Sequence, residues 1–310
     1  QALGQPLRLQ WLSPTLPSGL RVINRTLTVK ASDPEFHETI LDGDQLVVQS
    51  RLHLGADADT IEVPIARPGL FFLERFRAIL LGQGIQVGQI ALAAVPGDRS
   101  TPIATLPFPP LSTLLAETNQ KSNNFYAEAL LRLLGVTRAA KLPPSQPSGS
   151  TLEQGLRRMQ EHLAKVGVDP QGYQLVDGSG LSRQNLSSPR ALVQTLIAMD
   201  RSPYAQAFRS SLTVAGTSGT LRQRFQGTVV VNNLLGKTGT LKGTAALSGY
   251  LNVPADRPTV FSIIANQSTQ SSAVLRQAID QIVMAIAQQP NAKNCTVFTP
   301  LSTALVSSPK

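Results

Sequence analysis

Apolar and polar positions follow two different periods along this chain. Over residues 1–110 the pattern is short and strand-like. Leu46-Val47-Val48 and Thr60–Ile65 carry brief apolar or alternating runs, bounded by Asp42-Gly43-Asp44 and Gly55-Ala56-Asp57, sequences that favour turns. A helical period interrupts them once. Leu73, Phe76, Ile79 and Leu80 share one face and predict a helix over Leu70–Leu81, stopped by Gly82. Pro102, Pro107, Pro109 and Pro110 then crowd a stretch that no regular element tolerates. This places a domain boundary there, with a strand-rich region over 1–110.

Past the prolines, helical and strand periods mix. A helix is predicted over Asn124–Leu134, ending at Gly135, followed by a Pro143–Gly149 loop. Ser150-Thr151-Leu152-Glu153 reads as a capping box, in which each side chain satisfies an orphan backbone N–H. Leu152, Leu156, Met159, Leu163 and Val166 form the stripe of that helix, and Gly167 closes it. Ser188-Pro189 starts another, with Leu192, Leu196 and Met199 on its apolar face. Strands are predicted over Thr228–Val231, Leu234–Thr240, Ala245–Leu251 and Thr259–Ala265. Leu275, Ile279, Ile282, Val283 and Ile286 mark a final helix over Ser272–Ala287. The organisation is therefore an α+β domain over 111–290, with a loose tail over 291–310.

Composition narrows the function classes. The 310 residues are 42% apolar and 15% charged, a globular balance rather than a disordered one. The net charge of +9 fits an anionic partner: nucleic acid, anionic lipid or an anionic wall polymer. Nucleic acid is disfavoured, because the basic residues are dispersed, aromatics are scarce and no recognition signature occurs. The longest apolar runs, such as Ile90–Val95, fall far short of the roughly 18 residues that span a bilayer, so no transmembrane segment is expected. Cys295 stands alone and reads as a bystander, which excludes an internal disulfide and a cysteine zinc site. His37, His53 and His162 form no metal-ligand pair. No metal or organic cofactor is expected.

The hydroxyl chemistry is equally constrained. No GxSxG elbow is present; Asp177-Gly178-Ser179-Gly180 and Gly216-Thr217-Ser218-Gly219 have the wrong spacing. A serine nucleophile would therefore need lysine as its base. Gly236-Lys237-Thr238 ends like a phosphate-binding loop, but Val231 stands where that loop requires its first glycine, and strand patterns follow instead of a helix.

The same lysine opens Lys237-Thr238-Gly239, and three further segments accompany it in order. Ser122-Asn123-Asn124 lies at a helix start. Asp177–Asn185 follows as DGSGLSRQN, then Val214–Phe225 as VAGTSGTLRQRF. Together with Thr240–Thr244 and Leu247–Tyr250, these closely resemble the class C low-molecular-mass penicillin-binding proteins, the D-Ala-D-Ala carboxypeptidase/endopeptidase family. The resemblance is dense from Leu111 to Ala287. It is looser over 1–110, which looks like that family's accessory domains, inserted between its first and second motifs.

The resemblance implies a partial penicillin-binding/β-lactamase-like domain, an antiparallel sheet with helices. In that family KTG lies on the sheet's edge strand, where an extended peptide can pair. Lys237 then supplies positive charge, Ser122 relays a proton and Asn124 holds the substrate peptide bond. Thr238 and Thr240 donate to the terminal carboxylate, and Gly239 permits close approach, having no Cβ. Asp177, Ser179 and Arg183 either shape the site rim or belong to a purely structural glycine turn. By itself, Ser122-Asn123-Asn124 also reads as a helix cap. The implied partners are peptidoglycan peptides ending in D-Ala-D-Ala and β-lactams, in an extracytoplasmic, periplasmic or cell-wall setting.

One motif is missing. The family's nucleophile is the serine of SxxK, and the only such spacing here is Ser307-Ser308-Pro309-Lys310. It follows the other motifs instead of preceding them, and Pro309 breaks any helix there. The first residue is Gln1, with no methionine. The expectation is a C-terminal portion of an enzyme whose nucleophile segment lies elsewhere. The alternative is an inert homologue that binds wall peptides without acylating.

Overall fold

The computed structural model describes residues 2–12, 16–58, 60–61, 63–92, 104–139, 149–252 and 258–288. Cys295, the 291–310 tail, Ser307–Lys310 and nearly all of the Pro143–Gly149 loop lie outside them. The chain divides into two compact units, Gln1–Thr105 and Leu106–Lys310.

The first unit is built on β1 (Arg21–Asn24), β2 (Leu27–Val29), β3 (Phe36–Asp42) and β4 (Gln45–His53). One edge of β4 is taken along its length by antiparallel β3. β1 and β2 therefore share the other edge end to end, both parallel to β4. Leu46, Val48 and Ser50 are buried at alternate positions of β4, the two-residue period of a strand with one covered face. The β3–β4 turn runs through Gly43, whose φ of 55° lies in the left-handed region that glycine enters freely.

Two expectations fail in this unit. Thr60–Ile65 forms no strand among its described residues; Pro64 has no N–H for a ladder. The helix α1 (Pro68–Gly82) forms with Pro68 in its first turn, yet Phe76 and Ile79 are exposed. Its contacts run instead through Arg67, which pairs with Asp44 and donates to the Ser18 carbonyl, and through Glu74, which accepts the Ser18 N–H. The half-buried face, with Leu70, Phe71, Leu73 and Glu74, is rotated from the apolar stripe toward these contacts.

The second unit opens with α2 (Leu111–Gln120), α3 (Asn124–Ala139) and α4 (Thr151–Lys165). A two-stranded ribbon follows, β5 (Tyr173–Gln174) with β6 (Leu186–Ser187). Then come α5 (Pro189–Asp200), α6 (Ala205–Ser211), β7 (Thr213–Val214), β8 (Leu234–Leu241), β9 (Thr244–Leu251), β10 (Thr259–Ala265) and α7 (Ser272–Ala287). The main sheet has the order β10-β9-β8-β7 and is antiparallel throughout.

Parity along β9 sets the layers. Ala245, Leu247 and Leu251 pack on one face with Leu275, Ile279 and Val283 of α7. Tyr250 faces the other way, clustered with Leu196 of α5 and Leu212, and its hydroxyl donates to the Leu196 carbonyl at 2.7 Å. The sheet is thus sandwiched between helices. Each fully buried Leu, Ile or Val contributes about 1.5–3 kcal/mol, so these two clusters hold the sheet in place.

The capping box forms in full: the Ser150 N–H donates to Glu153 and the Glu153 N–H to Ser150 Oγ. Ser188 accepts from the Ala191 N–H at the start of α5. Two expectations need correction here. Gly135 does not end α3, which runs to Ala139. A Cβ on Gly135 would stand 1.9 Å from the Thr151 carbonyl oxygen, and one on Gly155 2.2 Å from that of Leu131. These glycines let α3 and α4 cross at backbone contact, which makes Gln154 and Gly155 the fully buried positions of α4, beside a stripe in which Leu152, Leu156, Met159 and Leu163 are half-buried and Val166 is exposed. Finally, Thr228–Val231 is no strand. It is a run of turns, with the Val231 N–H bonded to the Thr228 carbonyl and that of Asn233 to Val230.

Candidate active site

The site lies where the start of α3 meets β8. α2 ends at Gln120 and α3 begins at Asn124, so Lys121–Asn123 form a tight corner. Asn123, not Ser122, caps α3: its Oδ1 accepts the Tyr126 N–H at 3.1 Å. Ser122 is released from capping and sits at φ 55°, a left-handed conformation uncommon for a residue with a Cβ. Asn124 is the first residue of α3 and its side chain is exposed.

Lys237 meets this corner. Its Nζ donates to Ser122 Oγ at 2.7 Å, across 115 residues of sequence, and to the Thr238 carbonyl at 2.8 Å. Burial pushes its pKa down from 10.5 to about 8, because a desolvated ammonium is less stable. Ser122 and Lys237 are thus brought together as the sequence predicts.

β8 has one open edge. β7 pairs with it only through Leu235 and Gly236. From Lys237 to Leu241 it pairs with β9 on one side, and no strand pairs with the other among the described residues. Gly239 and Thr240 lie exposed on that stretch. A Cβ on Gly239 would meet only Ala246 Cβ at 3.7 Å, an ordinary contact. Packing among the described residues does not demand glycine here.

Thr238 shows a partner that sequence reasoning missed. Its Oγ1 lies 2.8 Å from Thr220 Oγ1, so its hydroxyl is engaged by a neighbour. Thr220 is held by the turns at Gly216 and Gly219, both at positive φ. A Cβ on Gly219 would come within 2.5 Å of the Gln120 carbonyl oxygen, so this loop sits directly against the corner bearing Ser122. The repeated Gly and Thr of VAGTSGTL were the available signal.

Asp177, Ser179 and Arg183 lie in one loop rather than at separate points. Asp177 accepts from the Gly180 and Ser182 N–H groups and from Asn185 Nδ2. Burial pushes its carboxyl up, but these donors outweigh that and hold it below the ordinary 3.8. Arg183 donates to the Lys242 carbonyl at 2.9 Å, just past β8. Among the described residues no group of three His, Cys, Asp or Glu side chains converges as a metal site. No helix among them is long and apolar enough to cross a membrane.

An antiparallel sheet between helices, with a Lys-Thr-Gly edge strand meeting a Ser-x-Asn corner, defines the penicillin-binding type of domain. The comparison with known families agrees. Residues 1–289 match the D-Ala-D-Ala carboxypeptidase 3 (S13) family, and the chain belongs to it. A D-alanyl-D-alanine carboxypeptidase of Actinomadura sp. is 35% identical over 215 residues, 67% of this chain and 38% of that protein. Penicillin-sensitive carboxypeptidase A of Dictyostelium discoideum is 30% identical over 255 residues, 79% of this chain and 47% of that protein. The chain thus spans less than half the length of these two relatives. In fold it is similar to penicillin-binding protein 4 of Haemophilus influenzae, solved with a β-lactam. The TM-score is 0.68 at 20% identity, covering 93% of this chain and 67% of that one.

Proposed function

We propose that this chain carries the second and third motifs of a serine-type D-Ala-D-Ala carboxypeptidase/endopeptidase, whose SxxK nucleophile lies in a segment outside these 310 residues. The observation that carries this reading is the Lys237–Ser122 hydrogen bond of 2.7 Å, formed beside an open strand edge. Residues 1–110 are then an accessory region inserted between the first and second motifs. That both relatives are much longer than this chain supports the placement.

In this mechanism a peptide ending in D-Ala-D-Ala aligns along β8 as an added strand. Gly239, which no contact among the described residues requires, leaves room for its backbone. Lys237 attracts the terminal carboxylate, and Thr240 donates to it; Thr238 does so once its hydroxyl turns from Thr220. Asn124 holds the scissile amide. The nucleophilic serine attacks the carbonyl, and backbone N–H groups stabilise the oxyanion. Ser122, polarised by Lys237, passes a proton to the departing D-Ala amine. Water then hydrolyses the ester, and β-lactams acylate the same serine. The setting is extracytoplasmic, with peptidoglycan peptides as substrate.

The test is covalent labelling with a fluorescent penicillin. The full-length protein is expected to label, this 310-residue chain is not, and Lys237→Ala in the full-length protein slows labelling. Labelling of the isolated chain would overturn the placement of the nucleophile. A full-length protein that binds peptidoglycan without labelling would be an inert homologue.

A further inference from the structure

Glu128 belongs to none of the motifs above, yet it joins two of them. It lies four residues after Asn124 on α3, so the two side chains share a helix face one turn apart. Its Oε1 accepts two backbone N–H groups, from Gly178 at 2.9 Å and from Ser179 at 3.2 Å. A carboxylate receiving two amide donors makes charge-assisted hydrogen bonds, the stronger kind. The contact is also close in backbone terms. A Cβ on Gly178 would fall 2.7 Å from the Ala127 carbonyl oxygen and 3.1 Å from Leu131 Cβ, so the loop is pressed onto α3.

From there the loop runs to the opposite wall. The Asp177 carboxylate and Asn185 stiffen it from within: Asn185 Oδ1 accepts the Val176 N–H at 2.8 Å while its Nδ2 donates to Asp177 at 2.8 Å. Arg183 then reaches the Lys242 carbonyl, in the turn that ends the Lys-Thr-Gly strand. Hydrogen bonds at both ends of this internally braced loop therefore link the helix bearing Asn124 to the hairpin bearing Thr240.

We propose that Glu128 is a positioning residue, and that the strap Glu128–(177–185)–Arg183 fixes the separation between Asn124 and β8. This rests on the reading of the site given above. Asn124 and the strand must grip the same extended peptide from two sides. Misplacing either by a fraction of an ångström weakens the alignment on which acylation depends. Glu128 touches neither substrate nor nucleophile in this scheme and acts only through the strap.

The experiment uses the full-length protein and measures the rate of penicillin acylation per active site, with sites counted by saturation labelling. Glu128→Ala is expected to lower that rate about tenfold, the equivalent of one charge-assisted hydrogen bond, with the number of active sites unchanged. Glu128→Gln recovers most of the rate, because its amide oxygen can still accept both N–H groups. Arg183→Ala, at an exposed hydrogen bond, reads the strap from its other end and remains informative if Glu128→Ala fails to fold. The double variant is expected to lose no more than the worse single one, as members of one network do. A wild-type rate in either single variant, a loss confined to the number of active sites, or losses that multiply would each overturn the proposal. If the full-length protein itself never acylates, the functional reading fails but the strap is still tested. Amide exchange at Gly178 and Ser179, and beyond them at Gly180 and Ser182, which donate to Asp177, is then expected to quicken in Glu128→Ala, and unchanged exchange overturns it.

Discussion

On the proposed reading the chemistry turns on Lys237, and its environment implies a pH dependence. Burial lowers its pKa to about 8, so it holds a proton below that value and loses it above. The carboxylate of a penicillin stays ionised throughout this range. Attraction therefore weakens as pH rises through about 8, and the second-order acylation rate of the full-length enzyme is expected to fall on that limb. That rate constant reports the free enzyme's ionisations. Lys237→Arg, which keeps its charge to far higher pH, should move the falling limb upward; an unmoved limb would assign it to another group. Ser122 is the second residue-scale feature. Its left-handed backbone is uncommon for serine, and the corner holds it there because Asn123 has taken over the capping of α3. A sequence scan sees Ser-Asn-Asn as three equivalent caps; only the folded corner separates one cap from one free hydroxyl.

Among the elements, the crossing of α3 over α4 matters most, because α3 carries Asn124 and Glu128. Two helical glycines give opposite expectations for the same substitution. Gly155→Ala places a Cβ 2.2 Å from the Leu131 carbonyl oxygen, and backbone on both sides cannot yield. The helix-propensity gain of about 1 kcal/mol is outweighed, with net destabilisation of about 1–3 kcal/mol from overpacking. Gly82→Ala, at the end of α1 with nothing within 4 Å, is expected to stabilise by about 0.4–1 kcal/mol through the unfolded chain. Urea midpoints decide the matter: a Gly155→Ala midpoint at or above the wild-type value would refute the close crossing, and a lowered Gly82→Ala midpoint would refute the open space at the end of α1. The strand predictions at Leu234–Thr240, Ala245–Leu251 and Thr259–Ala265 correspond to β8, β9 and β10 within a residue at either end. Only β10, interrupted by Ser262 alone, has a nearly continuous apolar run; β8 keeps just Leu234, Leu235 and Leu241 and is held as a strand by its antiparallel pairing with β9 from end to end. Thr228–Val231 had equal β-propensity but lies among hydrogen-bonded turns, so side-chain preference alone did not decide it.

At the scale of the whole molecule, two compact units imply two folding units. Trp11 is the only tryptophan in the chain and lies in the first unit, whereas most helix lies in the second. Urea unfolding followed by tryptophan fluorescence and by far-ultraviolet circular dichroism is therefore expected to give separate transitions, as multidomain chains do. Coincident curves would instead make the chain one cooperative unit. The sequence by itself determined the α+β class, the turn chemistry, the caps at Ser150 and Ser188, and the family, through motifs whose residue types are dictated by their chemistry. These are local properties, carried by period and by a few side chains close together in the chain. The motifs implied that Lys237 meets Ser122; tertiary structure alone decided that Thr220 answers Thr238, that Gly135 and Gly155 serve a helix crossing, and that Glu128 ties a loop to the site. Each depends on groups far apart in sequence meeting at contact distance. Hydrophobic periodicity tells which face of an element is covered, but not which neighbour covers it.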